Sequence, residues 1–230
     1  MSILIVVTNC EEIPNVKKTG WYLPEVAHPY KVFKDAGIPM TIVSPKGGKA
    51  PVDSGSVEAF KDDPICAQLY ADKEWMSQFE MTQAIADIDV SKFNVIFFAG
   101  GHGPMFDLPN CDASNKTAAK LYENGGIVAG VCHGVVGFLN VKLSNGEWLI
   151  KGKKITSFTN EEEDLVQLSD AMPFMLETAL REKGAIFEGA PPFQEKVHVT
   201  DRVISGQNPA SATPLAISVV KKMKELKFMS

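Results

Sequence analysis

Cys132, His133 and Gly134 follow directly on the apolar run Ile127-Val128-Ala129-Gly130-Val131. An apolar run that stops at Cys-His-Gly and resumes as helix-compatible sequence reads as strand, sharp turn, helix, with the thiol at the apex. Such a turn exposes the sulfur and aims a helix N-terminus at it, which favours the reactive thiolate. Serine hydrolases use the same elbow for a hydroxyl nucleophile. Histidine is the residue type suited to moving protons at neutral pH, which makes His133 a candidate proton carrier. The alternative is that only its backbone N–H matters, as half of an oxyanion hole.

Three other groups of residues carry chemistry. Gly100-Gly101-His102-Gly103 ends a second apolar run. Its glycines let the backbone approach a ligand and make Gly101 a candidate oxyanion donor. His102 either lines the pocket or packs a loop. Glu25 lies in the first turn of a helix, with His28 three residues on and near the same face. Two such residues without a third ligand do not make a metal site. The run Glu161-Glu162-Glu163-Asp164 reads as an acidic helix start with Asn160 as its N-cap, and one of its acids can orient His133 as a triad carboxylate does. Composition does not choose among them.

These residues need a scaffold, and the periodicity supplies one. Apolar strands at Ile3–Thr8, Met40–Ser44, Asn94–Ala99 and Ile127–Val131 alternate with helical patterns. That alternation predicts an α/β fold with a mostly parallel sheet flanked by helices. Pro24–Ala36 reads as a helix with Val26, Tyr30 and Phe33 on one stripe and Gly37 at its C-cap. Residues 50–90 read as short helices, at Asp62–Tyr70 and Lys73–Met81. Further helices are expected at Ala113–Asn124, Pro173–Lys183 and Ala210–Leu226. Lys154–Ser157 reads as a strand, and Val197–Thr200 with Val203–Ser205 as a hairpin. In doubly wound sheets ligands collect at the carboxyl ends of the strands. Thr8–Glu12, Gly100–Gly103 and Cys132–Gly134 all fall there.

The bulk properties exclude several roles. At 230 residues and a formal charge of −5, the chain offers no electrostatic case for nucleic acid or an anionic membrane. No apolar run reaches the ~20 residues of a spanning helix. The four cysteines (Cys10, Cys66, Cys111, Cys132) lack paired spacing, and Ser2–Thr8 reads as a strand rather than a secretion signal. The expectation is a chain of the reducing cytoplasm.

Four blocks together resemble the ThiJ/PfpI superfamily, in its branch of heat-shock-type chaperones and glutathione-independent glyoxalase III enzymes. They are Gly20–Pro29, Ala99–Gly103, Val131–Gly134 and Gly206–Ser211, and in order and spacing they cover nearly the whole chain. The resemblance implies one flavodoxin-like sandwich domain over residues 1–230, of class I glutamine amidotransferase type, with a cap-like insertion around 47–89. It gives Cys132 the nucleophile position, His133 the adjacent histidine and Glu25 the proton-moving carboxylate beside the sulfur. Glu163 matches the third acid, and Gly101 and His133 would supply the backbone oxyanion donors. The implied reaction turns methylglyoxal or glyoxal, small reactive aldehydes, into a 2-hydroxy acid. It needs no cofactor: no metal, nucleotide or glutathione. A homodimer is implied as well. The rival readings are a cysteine peptidase or amidase, which would need an open groove, and a stress-related holdase or redox sensor, which would need an exposed, low-pKa cysteine.

Overall fold

The strands whose ends carry the candidate residues lie at the centre of a seven-stranded sheet in the computed structural model, which describes residues 2–229. The terminal residues of the 1–230 span lie outside the described residues. The strands are β1 (Ile3–Val6), β2 (Glu12–Ile13), β3 (Lys17–Lys18), β4 (Met40–Ser44), β5 (Gln83–Ala84), β6 (Val95–Phe98), β7 (Ile127–Val131), β8 (Lys154–Ile155), β9 (Ile186–Phe187), β10 (Val197–Thr200) and β11 (Val203–Gly206). The main sheet runs β10-β11-β7-β6-β1-β4-β5 and is parallel except for the edge strand β10. Its central order β4-β1-β6-β7-β11 is the flavodoxin-like 2-1-3-4-5 arrangement. The order reverses at β1 and β6, so loops leaving their carboxyl ends diverge and open a crevice between them.

Both faces of β1 are buried, as its unbroken apolar run requires. Ile3 and Ile5 face one layer with Val26 and Phe33 of α1 (Leu23–Asp35). Leu215 and Val219 of the C-terminal helix complete that layer. Leu4 and Val6 face the other layer, with Phe98, Ala118, Leu121 and Phe138. Helix α1 starts with a proline in its first turn and ends before Gly37, whose φ of +69° is the left-handed stop expected of a glycine. Short helices α2 (Ser54–Ala59), α3 (Pro64–Ala71) and α4 (Lys73–Ser77) follow β4, each opened by an aspartate cap: Asp53, Asp63 and Asp72.

The remaining helices are α5 (Pro104–Asp107), α6 (Asp112–Glu123), α7 (Asn160–Leu165), α8 (Leu176–Glu182) and α9 (Ala212–Glu225). Four local expectations are corrected. The N-cap of α7 is Thr159, not Asn160. Thr159 accepts from the Glu162 N–H while Glu162 accepts from the Thr159 N–H, a capping box that Asn160 cannot build. The strand at 154–157 is only β8, two residues paired with β9 in a separate small sheet. Helix α8 begins at Leu176 because a 3-10 turn at Ser169–Ala171 and bends at 172–174 precede it.

The fourth correction bears on the site. After β7 the chain enters a 3-10 segment, Cys132–Phe138, rather than an α-helix. Its tightness follows from packing against β6. A methyl group at Gly134 would lie 2.4 Å from the Phe98 carbonyl oxygen, and one at Gly137 would lie 2.5 Å from the Phe98 ring. Gly134→Ala should therefore overpack rigid backbone and cost about 1–3 kcal/mol. That lowers the thermal midpoint by roughly 2–4 °C per kcal/mol in a chain of this size. Calorimetry showing an unchanged midpoint would contradict this packing account.

Candidate active site

Cys132 has a φ of +57°, an unfavourable value for a residue with a Cβ. The strain turns the chain off β7 and swings the side chain back over the neighbouring strand end. There it meets Gly100. A methyl at Gly100 would lie 2.3 Å from Glu25 Oε2 and 2.9 Å from Cys132 Cβ, so only glycine leaves room for acid and thiol together. Glu25 is brought there by main-chain bonds: Tyr22 N–H donates to the Gly100 carbonyl at 3.0 Å, and Glu25 N–H to the Tyr22 carbonyl at 3.0 Å.

The thiol is not exposed, contrary to expectation. Cys132 is 5% accessible and Glu25 is fully buried. Neither Glu25 carboxyl oxygen has a geometrically sound hydrogen-bond partner among the described residues. Burial raises the Glu25 carboxyl well above the usual carboxylate range. Burial also raises the Cys132 thiol, and a charge on Glu25 would raise it further; the His133 backbone N–H, facing the sulfur, works the other way. The expected helix-dipole stabilisation of the thiolate is thus outweighed. Burial disfavours negative charge on both groups at once, and a neutral Glu25 can donate toward the sulfur.

His133 lies between the sulfur and a carboxylate. Its Nδ1 is 3.4 Å from Cys132 Sγ and its Nε2 is 2.5 Å from Glu163 Oε2. The second Glu163 oxygen is 2.9 Å from His102 Nε2. Burial alone would raise Glu163, but His133 and His102 outweigh it and hold the acid well below the usual range. An ionised carboxylate only accepts hydrogen bonds, so both Nε2 atoms carry hydrogen. In the neutral imidazole, His133 Nδ1 then turns its lone pair toward the thiol. The rings of His102 and His133 pack with centroids 4.3 Å apart, and Phe158 covers His133 at 4.6 Å. Burial first, and then His133, push His102 down to about 4.

The four-acid run divides by burial. Glu161 and Asp164 are exposed, while Glu162 and Glu163 are buried. Glu162 accepts from Thr159 N, Phe193 N and Asn208 Nδ2, each at 2.8 Å, and ties the 190s loop to α7. Only Glu163 faces the histidines. Gly101, at φ +99°, lines the cavity, and its N–H has no hydrogen-bond partner among the described residues. The cavity holds about 300 Å³ and brings together Glu25, Gly101, His102, Cys132 and His133. Tyr22, Phe158, Phe193 and Lys17 line it too and were not singled out as site residues from sequence. Tyr22 lies inside the Gly20–Pro29 block and Phe158 just ahead of the acid run. Lys17, on the short β2–β3 hairpin, left no signal.

The arrangement can move protons between a thiol, an imidazole and a neutral carboxylic acid. It also sets a pH dependence. A histidine titrating near ~6.5 when unfolded and at about 4 when folded binds its proton less well in the native state. Its contribution to stability is complete above about pH 6.5 and declines as the pH falls toward about 4. Over that window the wild-type thermal midpoint should fall relative to that of His102→Gln. Parallel midpoint curves would contradict the assignment.

A sequence model described as the DJ-1/PfpI family matches residues 19–222. Glyoxalase 3 of Candida albicans is 31% identical over 231 residues, covering 96% of this chain and 97% of that protein. The crystal structure of glyoxalase III from Candida albicans superimposes with a TM-score of 0.88 at 30% identity, covering 96% of each chain. The 24 kDa rapid encystment protein of Francisella tularensis superimposes with a TM-score of 0.92 at 35% identity, covering 97% of this chain and 99% of that one. The elbow, the strand order and these relationships lead to one conclusion: the chain belongs to the DJ-1/PfpI family.

Proposed function

We propose that this protein is a glutathione-independent glyoxalase that converts methylglyoxal or glyoxal into the corresponding 2-hydroxy acid. The observation that carries the reading is a fully buried carboxyl, Glu25, beside Cys132 in a cavity of about 300 Å³. A volume of that size at the low end for ligand sites suits a two- or three-carbon aldehyde better than a peptide. Relatives bearing the glyoxalase name, similar over nearly the full chain, support the same substrate class.

The residues then divide the work. The Cys132 proton passes to His133 Nδ1 as Sγ bonds to the aldehyde carbon. Glu25 protonates the former aldehyde oxygen, helped by the Gly101 and His133 backbone N–H groups. The product is a neutral hemithioacetal, and Glu25 is now a carboxylate. That carboxylate takes the hydrogen from the former aldehyde carbon while imidazolium protonates the neighbouring carbonyl oxygen, giving an enediol. Glu25 returns its proton to the second carbon and His133 removes the first hydroxyl proton, leaving a thioester. Water, deprotonated by Glu25, attacks the thioester. The C–S bond breaks, the sulfur recovers its proton from His133, and a 2-hydroxy acid leaves. Glu163 stays ionised throughout and steadies the imidazolium. The protein thiol does the work that free glutathione does elsewhere.

Methylglyoxal incubated with the protein, without glutathione, should give lactate. Cys132→Ala should give none above the uncatalysed rate. Glu25→Gln, which removes the acid–base group, should lower kcat by about 10²–10⁴-fold. A fluorogenic peptide should not be cleaved. Lactate formed at the wild-type rate by Cys132→Ala would overturn the covalent step, and peptide cleavage without lactate would favour the peptidase.

A further inference from the structure

His28 and Glu25 alone are too few ligands for a metal site. The fold brings His28 two more, from α3. His28 Nε2 lies 3.1 Å from Asp63 Oδ1 and 3.1 Å from Oδ2, and Cys66 Sγ lies 3.8 Å from the same nitrogen. One donor atom from each residue falls within 4.8 Å of the others.

The shared nitrogen is the informative detail. At the Cys132 site the histidine uses opposite ring nitrogens for sulfur and carboxylate, which is the geometry of a proton relay. At His28 one nitrogen faces both. Without metal, Nε2–H and the Cys66 thiol both donate to Asp63; a cation at the common centre would replace those two protons and bind all three residues. A tetrahedral zinc ion, with its usual bond lengths, sets nitrogen, oxygen and sulfur ligands roughly 3.3–3.6 Å apart. The observed separations of 3.1 and 3.8 Å bracket that range.

The carboxylate is also held in place. Asp63 Oδ1 caps α3 by accepting from Ile65 N at 3.0 Å and Cys66 N at 2.9 Å, so capping aims the carboxylate at His28. Cys66 is buried, and the His28 and Asp63 side chains are 16% and 27% accessible. A cavity lined by His28, Phe60, Phe193 and Thr213 opens beside the histidine of the cluster.

We propose that His28, Asp63 and Cys66 bind one zinc-class divalent ion that clamps α3 to α1. Sulfur and imidazole nitrogen select Zn²⁺ or Co²⁺ over Mg²⁺ or Ca²⁺, which favour all-oxygen sites. On binding, the ion forms a bond to Cys66 sulfur and the thiol proton leaves to solvent, with no change of oxidation state. The clamp sits one helical turn beyond Glu25 and so braces the helix that carries it. It is separate from the Cys132 cluster and holds whether or not the protein is a glyoxalase.

Cobalt titration of the chelator-stripped protein tests it, because a thiolate–cobalt bond gives a near-ultraviolet charge-transfer band and a tetrahedral site gives visible d–d bands. Wild type and Cys132→Ser should both show one equivalent of cobalt with these bands. Cys66→Ser should lack the charge-transfer band. His28→Gln should bind more weakly by more than the ~10–100-fold that loss of an outer-shell partner costs, and it tests the site with the thiol intact should Cys66→Ser not fold. Zinc should raise the thermal midpoint of wild type and not that of His28→Gln. A wild-type protein without the charge-transfer band would overturn the proposal. So would a band that disappears with Cys132 rather than Cys66, or zinc stabilisation that survives His28→Gln.

Discussion

A carboxyl group with no sound hydrogen-bond partner among the described residues, buried against a buried thiol, is the constraint around which this structure is arranged. Leaving such a group unpaired costs on the order of 1–3 kcal/mol even when it is neutral. The surroundings impose it at several points at once. Cys132 accepts a left-handed φ of +57°. Gly100 has no side chain to separate acid from sulfur. The Tyr22–Gly100 main-chain bond fastens the start of α1 to the end of β6. A left-handed cysteine and an unpartnered buried carboxyl meet at this one site, the pattern expected where stability has been given up for chemistry.

The second carboxylate shows how environment separates two acids by role. Glu25 meets glycine and a thiol, and burial pushes its carboxyl well above the usual range, which favours the protonated form. Glu163 meets two imidazole N–H groups, and its charge is retained. One can give and take a proton; the other can only hold a histidine in orientation. His102 is squeezed toward the neutral form by burial and by His133, so it serves as a fixed hydrogen-bond donor. The acid one residue earlier, Glu162, is spent on the backbone of the loops that wall the cavity. Neighbouring residues of the same type thus do unlike work because α7 turns about 100° per residue.

Much of this was legible in the residues. Unbroken apolar runs at Ile3–Val6, Val95–Phe98 and Ile127–Val131 announced buried parallel strands, and the elbow followed from the Cys-His-Gly that ends the last of them. The helix at 23–35 was marked by Pro24, an apolar stripe and Gly37. Glu163 emerged from the acid run only through resemblance, since choosing among four adjacent acids needs the angular position that the Thr159 cap sets. The ionisation of Cys132 was misread for a physical reason. A helix N-terminus was expected to govern the thiol, but burial depends on residues far away in sequence, Glu25 and Gly100 among them. The 3-10 geometry of Cys132–Phe138 was hidden likewise, because it reflects contact with Phe98 on another strand. His28, Asp63 and Cys66 show the same limit: their meeting depends on how α3 lies against α1.

A protonated Glu25 beside Cys132 at neutral pH is the central requirement of the proposed chemistry. Difference infrared spectroscopy between wild type and Glu25→Gln measures this without reference to turnover. The predicted result is a protonated-carboxyl C=O stretch at neutral pH that is present in wild type, absent in the variant and shifted when Cys132 is alkylated. A difference spectrum containing only the symmetric and antisymmetric bands of an ionised carboxylate would contradict it.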